Sequence, residues 1–366
     1  MKLECNLEKI KNAVSSTERI TGKNLSLPIL DSVLISASKK SLKFRSTNLN
    51  LGIEIEISAK VEREGSLVVK GSSLVGIFSN IFQNENILLE EKDGNVLIKT
   101  KNNQIKLKGQ KGDDFPTIPV IEEGVSFEIN PEKIIEGIKS VYYSASFSGI
   151  KPEISSVYIY SEDNTLIFVS TDSFRLAEKR IKVKNIPEIS GILIPFKNIS
   201  EILRVLGECK EDLKIAFNKN QISFSSDGLY LTSRLIDGVF PDYRQIIPKE
   251  HKTEVVVLKQ ELINALKLSN VFSDKFNQIN LEVSPKEKSF KISSSNNDIG
   301  ENITKLDGAL KGETVSVGFN YKYFLDCFQS INSDSISIKL NQSSKPMIIT
   351  GVSDTSFLYL IMPMNR

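Results

Sequence analysis

Residues able to catalyse a reaction or bind a metal are few in this 366-residue chain. His251 is the only histidine, so a Ser/His/Asp triad would have to use this one residue, which lies in the polar segment PKEHKTE. Cys5, Cys209 and Cys327 are far apart and show no CxxC spacing, which argues against a zinc site or a disulfide framework. We therefore expect no metal, no cofactor and no catalytic activity.

A candidate phosphate-binding loop is incomplete. The segment Thr21-Gly22-Lys23-Asn24 contains the Gly-Lys pair but lacks the upstream glycine and the following Ser or Thr of such a loop. A hydrolase that used Asp172, Ser173 or His251 would also need an acid/base pair, and the sequence shows none. Nucleotide binding and hydrolysis are therefore not indicated.

The composition is that of an ordinary soluble protein, with 40% hydrophobic and 25% charged residues and a net charge of +2. No stretch approaches the roughly 20 apolar residues that span a bilayer, and the N-terminus lacks the apolar run of a signal peptide. The chain is longer than one hydrophobic core usually organises. We expect a cytoplasmic protein of two or three domains.

A threefold internal repeat defines the domains. Three strand-like segments end in a similar polar run, LKFRSTN, LIFVSTD and FKISSSN, and their hydroxyl positions Thr47, Thr171 and Ser295 follow one another at intervals of 124 residues. A helical pattern opens each copy, and a second follows Gly71, Pro195 and Asn320. The repeat predicts domains at 1–121, 122–248 and 249–366.

Each copy is predicted to fold as β-α-β-β-β-α-β-β-β, an α+β domain in which two helices pack on antiparallel sheets. Similar units joined by short connectors tend to stack at a constant rotation and so trace an arc. An arc with matching ends closes into a ring through head-to-tail contacts between chains. The fold class expected here is therefore three tandem domains that close as a head-to-tail dimeric ring.

The number of helices limits what such a ring can enclose. Six helices at about 9 Å spacing would give a lining of about 54 Å and a hole of about 7 Å. Twelve helices from two chains would give about 108 Å and a hole of about 24 Å. Double-stranded DNA, about 20 Å across, would pass only through the second.

The predicted helices carry basic residues that could face DNA phosphates in such a hole. Their number only slightly exceeds that of the acidic residues, so an ordinary solvated surface remains an alternative. The basic residues of the helices are Lys9, Lys11, Arg19, Lys133, Lys139, Lys197, Arg204, Lys259, Lys267 and Lys322.

Four motifs together resemble the family of the bacterial replicative sliding clamp, the β subunit of DNA polymerase III. They are LPIL at 27–30, TDSFRLA at 171–177, DGVFPDYR at 237–244 and MPM at 362–364. The resemblance runs the length of the chain. It implies a homodimeric ring that a clamp loader places around double-stranded DNA without sequence preference. Such a ring tethers the DNA polymerase III catalytic subunit, other polymerases and repair proteins, and it catalyses nothing itself.

The resemblance also implies a hydrophobic pocket that binds short peptides of these partners. The residues carried over to it are Ile154, Thr171, Ser173, Phe174, Arg175, Leu176, Pro241, Ile246, Asn320, Tyr323, Pro346, Leu360 and Met362. Aliphatic and methionine side chains would form the cleft, and Arg175 would orient polar groups of the peptide. The family often has Gly-His where this chain has Ser173-Phe174, and often a second basic residue at Gln245, so the preferred peptide is left open. Without the resemblance, Ile154, Leu176 and Leu360 would be interpreted as ordinary core residues.

Two further sets of contacts follow from the resemblance. Ile105 and Leu107 of one chain would meet Val271 and Phe272 of the other at the ring closure, although an ordinary hairpin would show the same alternation. Lys23, Asn24 and Lys151, in loops, would add contacts to the duplex. The competing hypothesis is a repeat-built, peptide-binding scaffold that never encircles DNA.

Overall fold

The computed structural model describes residues 1–82, 86–341 and 345–364. The chain divides into two compact units, Met1–Glu132 with Lys197–Leu235, and Lys133–Phe196 with Ile236–Arg366. Among the described residues, no helix combines the length and the apolar character needed to cross a membrane.

Within the described residues, each copy of the repeat contributes two α-helices and eight or nine strands. The first copy contains β1 (Lys2–Asn6), α1 (Leu7–Glu18), β2 (Ser32–Ser38), β3 (Ser41–Thr47), β4 (Leu51–Ser58), β5 (Lys60–Arg63), β6 (Gly65–Lys70), α2 (Gly71–Ser79), β7 (Asn86–Lys92), β8 (Asn95–Lys99) and β9 (Gln104–Gln110). The second contains β10 (Val125–Ile129), α3 (Pro131–Val141), β11 (Ser156–Glu162), β12 (Thr165–Thr171), β13 (Arg175–Lys182), β14 (Ile192–Pro195), α4 (Phe196–Leu206), β15 (Leu213–Phe217), β16 (Gln221–Ser226) and β17 (Leu229–Arg234). The third contains β18 (Thr253–Leu258), α5 (Lys259–Val271), β19 (Gln278–Ser284), β20 (Ser289–Asn296), β21 (Gly300–Leu306), β22 (Gly308–Gly312), β23 (Val315–Asn320), α6 (Tyr321–Cys327), β24 (Ser335–Leu340), β25 (Met347–Gly351) and β26 (Phe357–Ile361). Short 3-10 helices follow at Pro28–Asp31, Tyr142–Ser144, Tyr243–Ile246 and Phe328–Ser330.

The predicted helix starts are confirmed. The side chain of Asn6 accepts hydrogen bonds from Glu8 N and Lys9 N, and Asn320 accepts one from Lys322 N, so both cap a helix. Gly71 is the first residue of α2, and Pro195 immediately precedes α4. These starts are local in origin, because a cap depends only on neighbouring residues.

Between the two helices of a copy the sequence predicts three strands, whereas the structure has five, four and five. The strand that leads into the second helix, β6, β14 or β23, extends the sheet by pairing with β2, β11 or β19. The short strands β5 and β22 pair with β1 and β18. The sequences KVER and GALKG show no alternation, because an edge strand mostly exposed to solvent does not need it.

The first unit is built on one 13-stranded sheet in the order β10-β15-β16-β17-β4-β3-β2-β6-β9-β8-β7-β1-β5. Strand β4 of the first copy pairs antiparallel with β17 of the second, so the sheet passes from one copy to the next. Helix α1 buries Leu7, Ile10, Val14 and Thr17 at helical spacing. Leu7, Ile10 and Val14 pack with alternate strand residues in one hydrophobic core.

The second unit contains a nine-stranded sheet, β14-β11-β12-β13-β26-β25-β24-β18-β22, and a four-stranded sheet, β21-β20-β19-β23. Strand β13 of the second copy pairs antiparallel with β26 of the third. This pairing repeats the β4 and β17 pairing of the first unit. The same junction is therefore built twice within the chain.

Candidate functional site

The turn between β12 and β13 contains four of the predicted pocket residues. Thr171 Oγ1 donates to the carbonyl of Arg175 at 2.6 Å, and Asp172 Oδ1 accepts from Phe174 N and Arg175 N at 2.9 and 3.0 Å. These bonds close the turn and leave the Phe174 side chain 60% exposed. Asp172 thus shapes the turn, and Phe174 is presented to solvent.

Ser173 lies in this turn with φ at +77°, a conformation in which a Cβ atom is crowded and glycine is favoured. The family that the chain resembles often has glycine at this position. We expect Ser173→Gly to raise the free energy of unfolding by about 0.5 to 1 kcal/mol. Chemical denaturation checks this, with Ser148→Gly as the control, and a variant no more stable than the wild type would contradict it.

Arg175 is buried and bonded on three sides. Its Nε donates to Asp172 Oδ2 at 3.0 Å, its Nη1 to Asp326, and its Nη2 to the carbonyl of Tyr143 at 2.7 Å. The guanidinium carbon lies 4.5 Å from the centre of the Tyr323 ring. Burial opposes the positive charge, yet Tyr359, Asp326 and Asp172 outweigh it and raise the pKa of Arg175.

The expectation that Arg175 orients polar groups of a peptide needs correction. All three guanidinium nitrogens donate to groups of the chain itself, and the residue is only 6% exposed. Arg175 instead ties strand β13 to helix α6 and to the 3-10 turn after α3. It holds the shape of the surrounding surface, since replacing it would leave buried polar groups unpaired.

A cluster of buried apolar side chains lies beside this turn. Leu176 and Leu360 are opposite each other in the β13 and β26 pairing, and both are buried. They pack in one cluster with the buried rings of Phe240 and Tyr243, and the partly buried Met362 contacts the same cluster. Leu176 and Leu360 are thus core residues, and Met362 is the more accessible side chain.

The C-terminal segment continues beyond β26 next to the Phe174 turn. Met362 N donates to the carbonyl of Phe174 at 2.8 Å, and Met364 N donates to that of Gly318 at 2.8 Å. Phe174 and Met362 are therefore neighbours. Phe174 and Met362 present apolar side chains next to this buried cluster, and such a surface suits a short peptide.

The remaining predicted pocket residues are placed less directly. Pro241 and Ile246 are exposed on the connector that carries Phe240 and Tyr243. Asn320 caps α6, so its side-chain oxygen is occupied by Lys322 N. Ile154 is buried, and Pro346 is half-buried just before β25.

A polar network beside the apolar cluster was not predicted. The hydroxyl of Tyr243 donates to the buried Glu178 and lies 2.7 Å from that of Tyr160, and Arg244 Nη2 donates to Tyr160 Oη at 2.7 Å. Burial, and then the Glu178 carboxylate, raise the pKa of Tyr243. The motif DGVFPDYR contains Tyr243 and Arg244, so it was the available signal. Their partners on β11 and β13 are distant in sequence.

Several predicted DNA-facing cations have no side-chain hydrogen bond or ion pair within the described ranges. These exposed residues are Arg19, Lys23, Lys139, Lys151, Lys267 and Lys322. The Asn24 side chain instead accepts a hydrogen bond from Ser26 N. The six cations are available to phosphates.

Other predicted cations already have partners. Arg204 donates to Glu201 at 2.7 Å, to Glu208 at 3.1 Å and to the Ser16 carbonyl at 3.1 Å, so its guanidinium is engaged by groups of its own chain. The carboxylates of Glu201 and Glu208 neutralise the positive charge of Arg204. The side-chain amines of the others bond to chain oxygens, namely Lys9 to Ser58, Lys11 to Ile81, Lys133 to Lys182, Lys197 to Asn50 and Lys259 to Ile331.

The residues predicted for ring closure lie on β9 and at the end of α5, close to the start of β21. Ile105 and Leu107 are half-buried on β9 and pack on the core of the first unit. Val271 ends α5 and is exposed, and Phe272 lies close to Gly300, where β21 begins. Strand β21 is an edge of its sheet.

A separate cleft of about 1150 Å³ lies within the first unit. Helices α1 and α4 and the turns at 38–41 and 226–229 line it with both lysines and carboxylates. Its mixed charge indicates no particular ligand.

Comparison with protein families gives matches over almost the whole chain. Models of the N-terminal, central and C-terminal domains of the DNA polymerase III beta subunit match residues 1–119, 128–242 and 244–365.

Curated relatives and solved structures agree with these matches. A beta sliding clamp of Synechococcus elongatus is 26% identical over 100% of this chain and 99% of its own length, and one of Staphylococcus epidermidis is 24% identical over 97% and 96%. The fold is similar to that of the DNA polymerase sliding clamp of Bacillus subtilis, with a TM-score of 0.95, 24% identity and coverage of 100% and 99%. A sliding clamp of Pseudomonas aeruginosa, solved bound to griselimycin, gives a TM-score of 0.94 at 22% identity and full coverage of both chains.

Proposed function

The chain belongs to the DNA polymerase III beta subunit family, and from this premise we propose that two copies close a ring around duplex DNA and hold polymerases there. The protein is a DNA sliding clamp in this proposal, with domains at 1–121, 122–248 and 249–366. The observation that carries it is the repeated junction between copies, in which one strand of each copy pairs with a strand of the other. The first copy and the third copy each have one more strand of the type that forms this junction.

These two additional junction strands are β9 of the first copy and β21 of the third copy. In the two junctions within the chain, β4 pairs with β17 and β13 pairs with β26. The third strand equivalent to β4 and β13 is β21, the edge of its sheet. In the first copy, the strand equivalent to β17 and β26 is β9. It pairs with β8 over residues 104–108 and has no other strand partner over these residues in the described part of the chain. Two copies joined head to tail would pair these edges.

The internal junctions also supply a register for this pairing. Residues directly opposite one another on neighbouring strands form a row across a sheet. One row across the first sheet consists of Ser126, Ala216, Ser223, Thr232 and Gly52. The equivalent row in the second unit runs through Glu254, Lys339, Ile348, Leu360 and Leu176. The third row runs through Lys2, Glu90, Leu97 and Lys106, where the described sheet stops.

On the hairpins of the first and second copies, Gly52 is opposite Thr47 and Leu176 is opposite Thr171. On the equivalent hairpin of the third copy, Glu301 is opposite Ser295. Glu301 is therefore the third equivalent of Gly52 and Leu176. In the proposed register, Lys106 of one copy would lie opposite Glu301 of the other, and Ile105 opposite Asn302. Both Lys106 and Glu301 are exposed, so a cross-strand ion pair is expected at each closure.

The surface around Phe174 and Met362 is proposed as the site that binds polymerase, clamp loader and repair-protein peptides. This assignment is supported by the cluster of buried apolar side chains beside the turn and by the proximity of Phe174 to Met362. Because the Phe174 side chain is largely exposed, its replacement should leave the fold intact. This separates a binding role from a structural one.

We expect Phe174→Asp to weaken binding of a polymerase-derived peptide at least tenfold, because the apolar contact is lost and a charge is added. Fluorescence anisotropy with a labelled peptide measures this. Val352→Asp, at another exposed apolar position of the same unit, is the control. Unchanged peptide affinity in Phe174→Asp, with the dimer intact, would refute the assignment.

Encirclement has a direct test of its own. A ring should stay on circular DNA and leave once that DNA is cut, whereas a peptide-binding scaffold should show no dependence on topology.

A further inference from the structure

In both units, the connector that joins one copy of the repeat to the next lies over one face of the sheet. It comprises residues 111–124 in the first unit and 236–252 in the second. Each connector contains a Phe-Pro pair, and the two phenylalanines, Phe115 and Phe240, are both buried. The strands beneath the connectors are also equivalent, since β4 and β17 correspond to β13 and β26.

One row of directly opposed residues crosses the sheet beneath each connector. In the first unit the row consists of Leu34, Arg45, Glu54 and Tyr230. In the second unit it consists of Tyr158, Val169, Glu178 and Leu358. Both rows contain a glutamate at the same place, but the first begins with a leucine where the second begins with a tyrosine.

Aromatic rings fill the space beneath the connector of the second unit. The ring of Tyr158 stacks on that of Phe240, with centroids 4.7 Å apart. The hydroxyl of Tyr243, three residues farther along the connector, donates to the carboxylate of Glu178. A tyrosine of this connector therefore binds both the apolar cluster and the buried acceptor.

The first unit has neither of these two tyrosines. Leu34 takes the place of Tyr158 in the row. Ile118 takes the place of Tyr243, because it also lies three residues after the phenylalanine of its connector. Its side chain packs against Gly52 and has no hydroxyl to donate. The space that two rings occupy in the second unit is thus not filled in the same way.

A cavity of about 590 Å³, here called the connector cavity, lies between the connector of the first unit and the strands. Its wall includes Leu34, Arg45, Glu54, Phe115, Ile118 and Tyr230. The hydroxyl of Tyr230 donates to the carbonyl of Pro119 at 3.0 Å, which fixes the connector over β17. The volume falls in the range of about 300 to 1,000 Å³ that is typical of ligand sites.

Glu54 is the hydrogen-bond acceptor of the connector cavity. It accepts from Lys43 Nζ at 2.6 Å and from Arg45 Nε. A carboxylate has about four acceptor positions, so these two bonds leave capacity for another donor. Burial opposes the negative charge, yet Lys43 and Arg45 outweigh it and lower the pKa of Glu54. The carboxylate is therefore ionised at neutral pH.

We propose that the connector cavity binds a tyrosine side chain from a peptide of a partner protein, with the ring against Leu34 and Phe115 and the hydroxyl donating to Glu54. The second unit supplies the model for this contact, because there a tyrosine of a peptide segment donates to the equivalent Glu178. A phenylalanine would fill the space but would leave the acceptor unused. The site goes beyond the proposed clamp function and does not depend on ring closure.

The test uses p-cresol and toluene, which are analogues of the tyrosine and phenylalanine side chains, with the 366-residue chain. We expect p-cresol to bind about tenfold more tightly than toluene, because its hydroxyl meets a charged acceptor. The peptide Ala-Ala-Tyr-Ala-Ala should displace p-cresol, and the same peptide with phenylalanine should do so less well. Ligand-observed NMR measures both binding and displacement.

Three variants locate the binding. Leu34→Tyr places in the first unit the ring that the second unit has at Tyr158, and it should weaken p-cresol binding at least tenfold by filling the cavity. Val125→Tyr, on the edge strand β10 of the same sheet, is the control and should bind p-cresol normally. Glu54→Gln should reduce the preference for p-cresol over toluene to about twofold. Unchanged toluene binding in this variant shows that the cavity is intact.

Wild-type affinity for p-cresol in a folded Leu34→Tyr variant would overturn the proposal. So would an unchanged preference for p-cresol in Glu54→Gln, which decides the matter if Leu34→Tyr does not fold. Binding of p-cresol that the tyrosine peptide cannot displace would overturn the assignment to a partner protein, since the cavity would then accept only a small phenol. Melting temperatures of all variants identify any folding defect.

Discussion

Protein placed on a nicked plasmid by a bacterial clamp loader and ATP is expected to elute with the plasmid, and to be lost when a restriction enzyme cuts it. The reason is topological, because a closed ring is linked to circular DNA but slides off an end. Only two chains supply enough helices for a hole of about 24 Å. Gel filtration with labelled protein measures retention before and after cutting.

Linear DNA whose ends are blocked by tightly bound proteins is the matched control. Retention should return on this DNA, since sliding is permitted but escape is not. Equal retention on circular and unblocked linear DNA would contradict encirclement. No retention on either, with peptide binding intact, would instead support the scaffold hypothesis.

Charge reversal at the proposed ring closure should have the second large effect. Lys106→Glu or Glu301→Lys places like charges opposite each other at both closures of the ring. We expect each single variant to raise the dimer dissociation constant about a hundredfold, from about 1.4 kcal/mol at each of two closures. Sedimentation velocity over a range of concentrations measures the constant.

The double variant Lys106→Glu with Glu301→Lys should recover most of the wild-type affinity, because the pair is restored with its signs exchanged. Lys286→Glu changes the net charge at an exposed turn and should leave the dimer unchanged. High salt should reduce the effect of the single variants, since the pair is exposed. Single variants that dimerise like the wild type would show that the register is wrong.

Local signals in the sequence predicted much of the fold. Asn6 and Asn320 cap helices because a side-chain oxygen meets amides two or three residues later. The strands that end near Thr47, Thr171 and Ser295 were recognisable from alternation and from their spacing. The predicted number of strands between the two helices was too low, because exposed edge strands such as β5 and β22 carry no alternating pattern.

The sequence by itself therefore determined three copies, their two helices each, and the family resemblance. Tertiary structure decided which charged side chains are available. Arg175 and Arg204 have the residue type that a ligand contact requires, yet each is bonded to groups of its own chain. Their partners are up to 188 residues away in sequence, as for Arg204 and Ser16, so no local pattern reveals them. The proposed register of ring closure also came only from the sheets, since strand pairing depends on hydrogen bonds between segments that are distant along the chain.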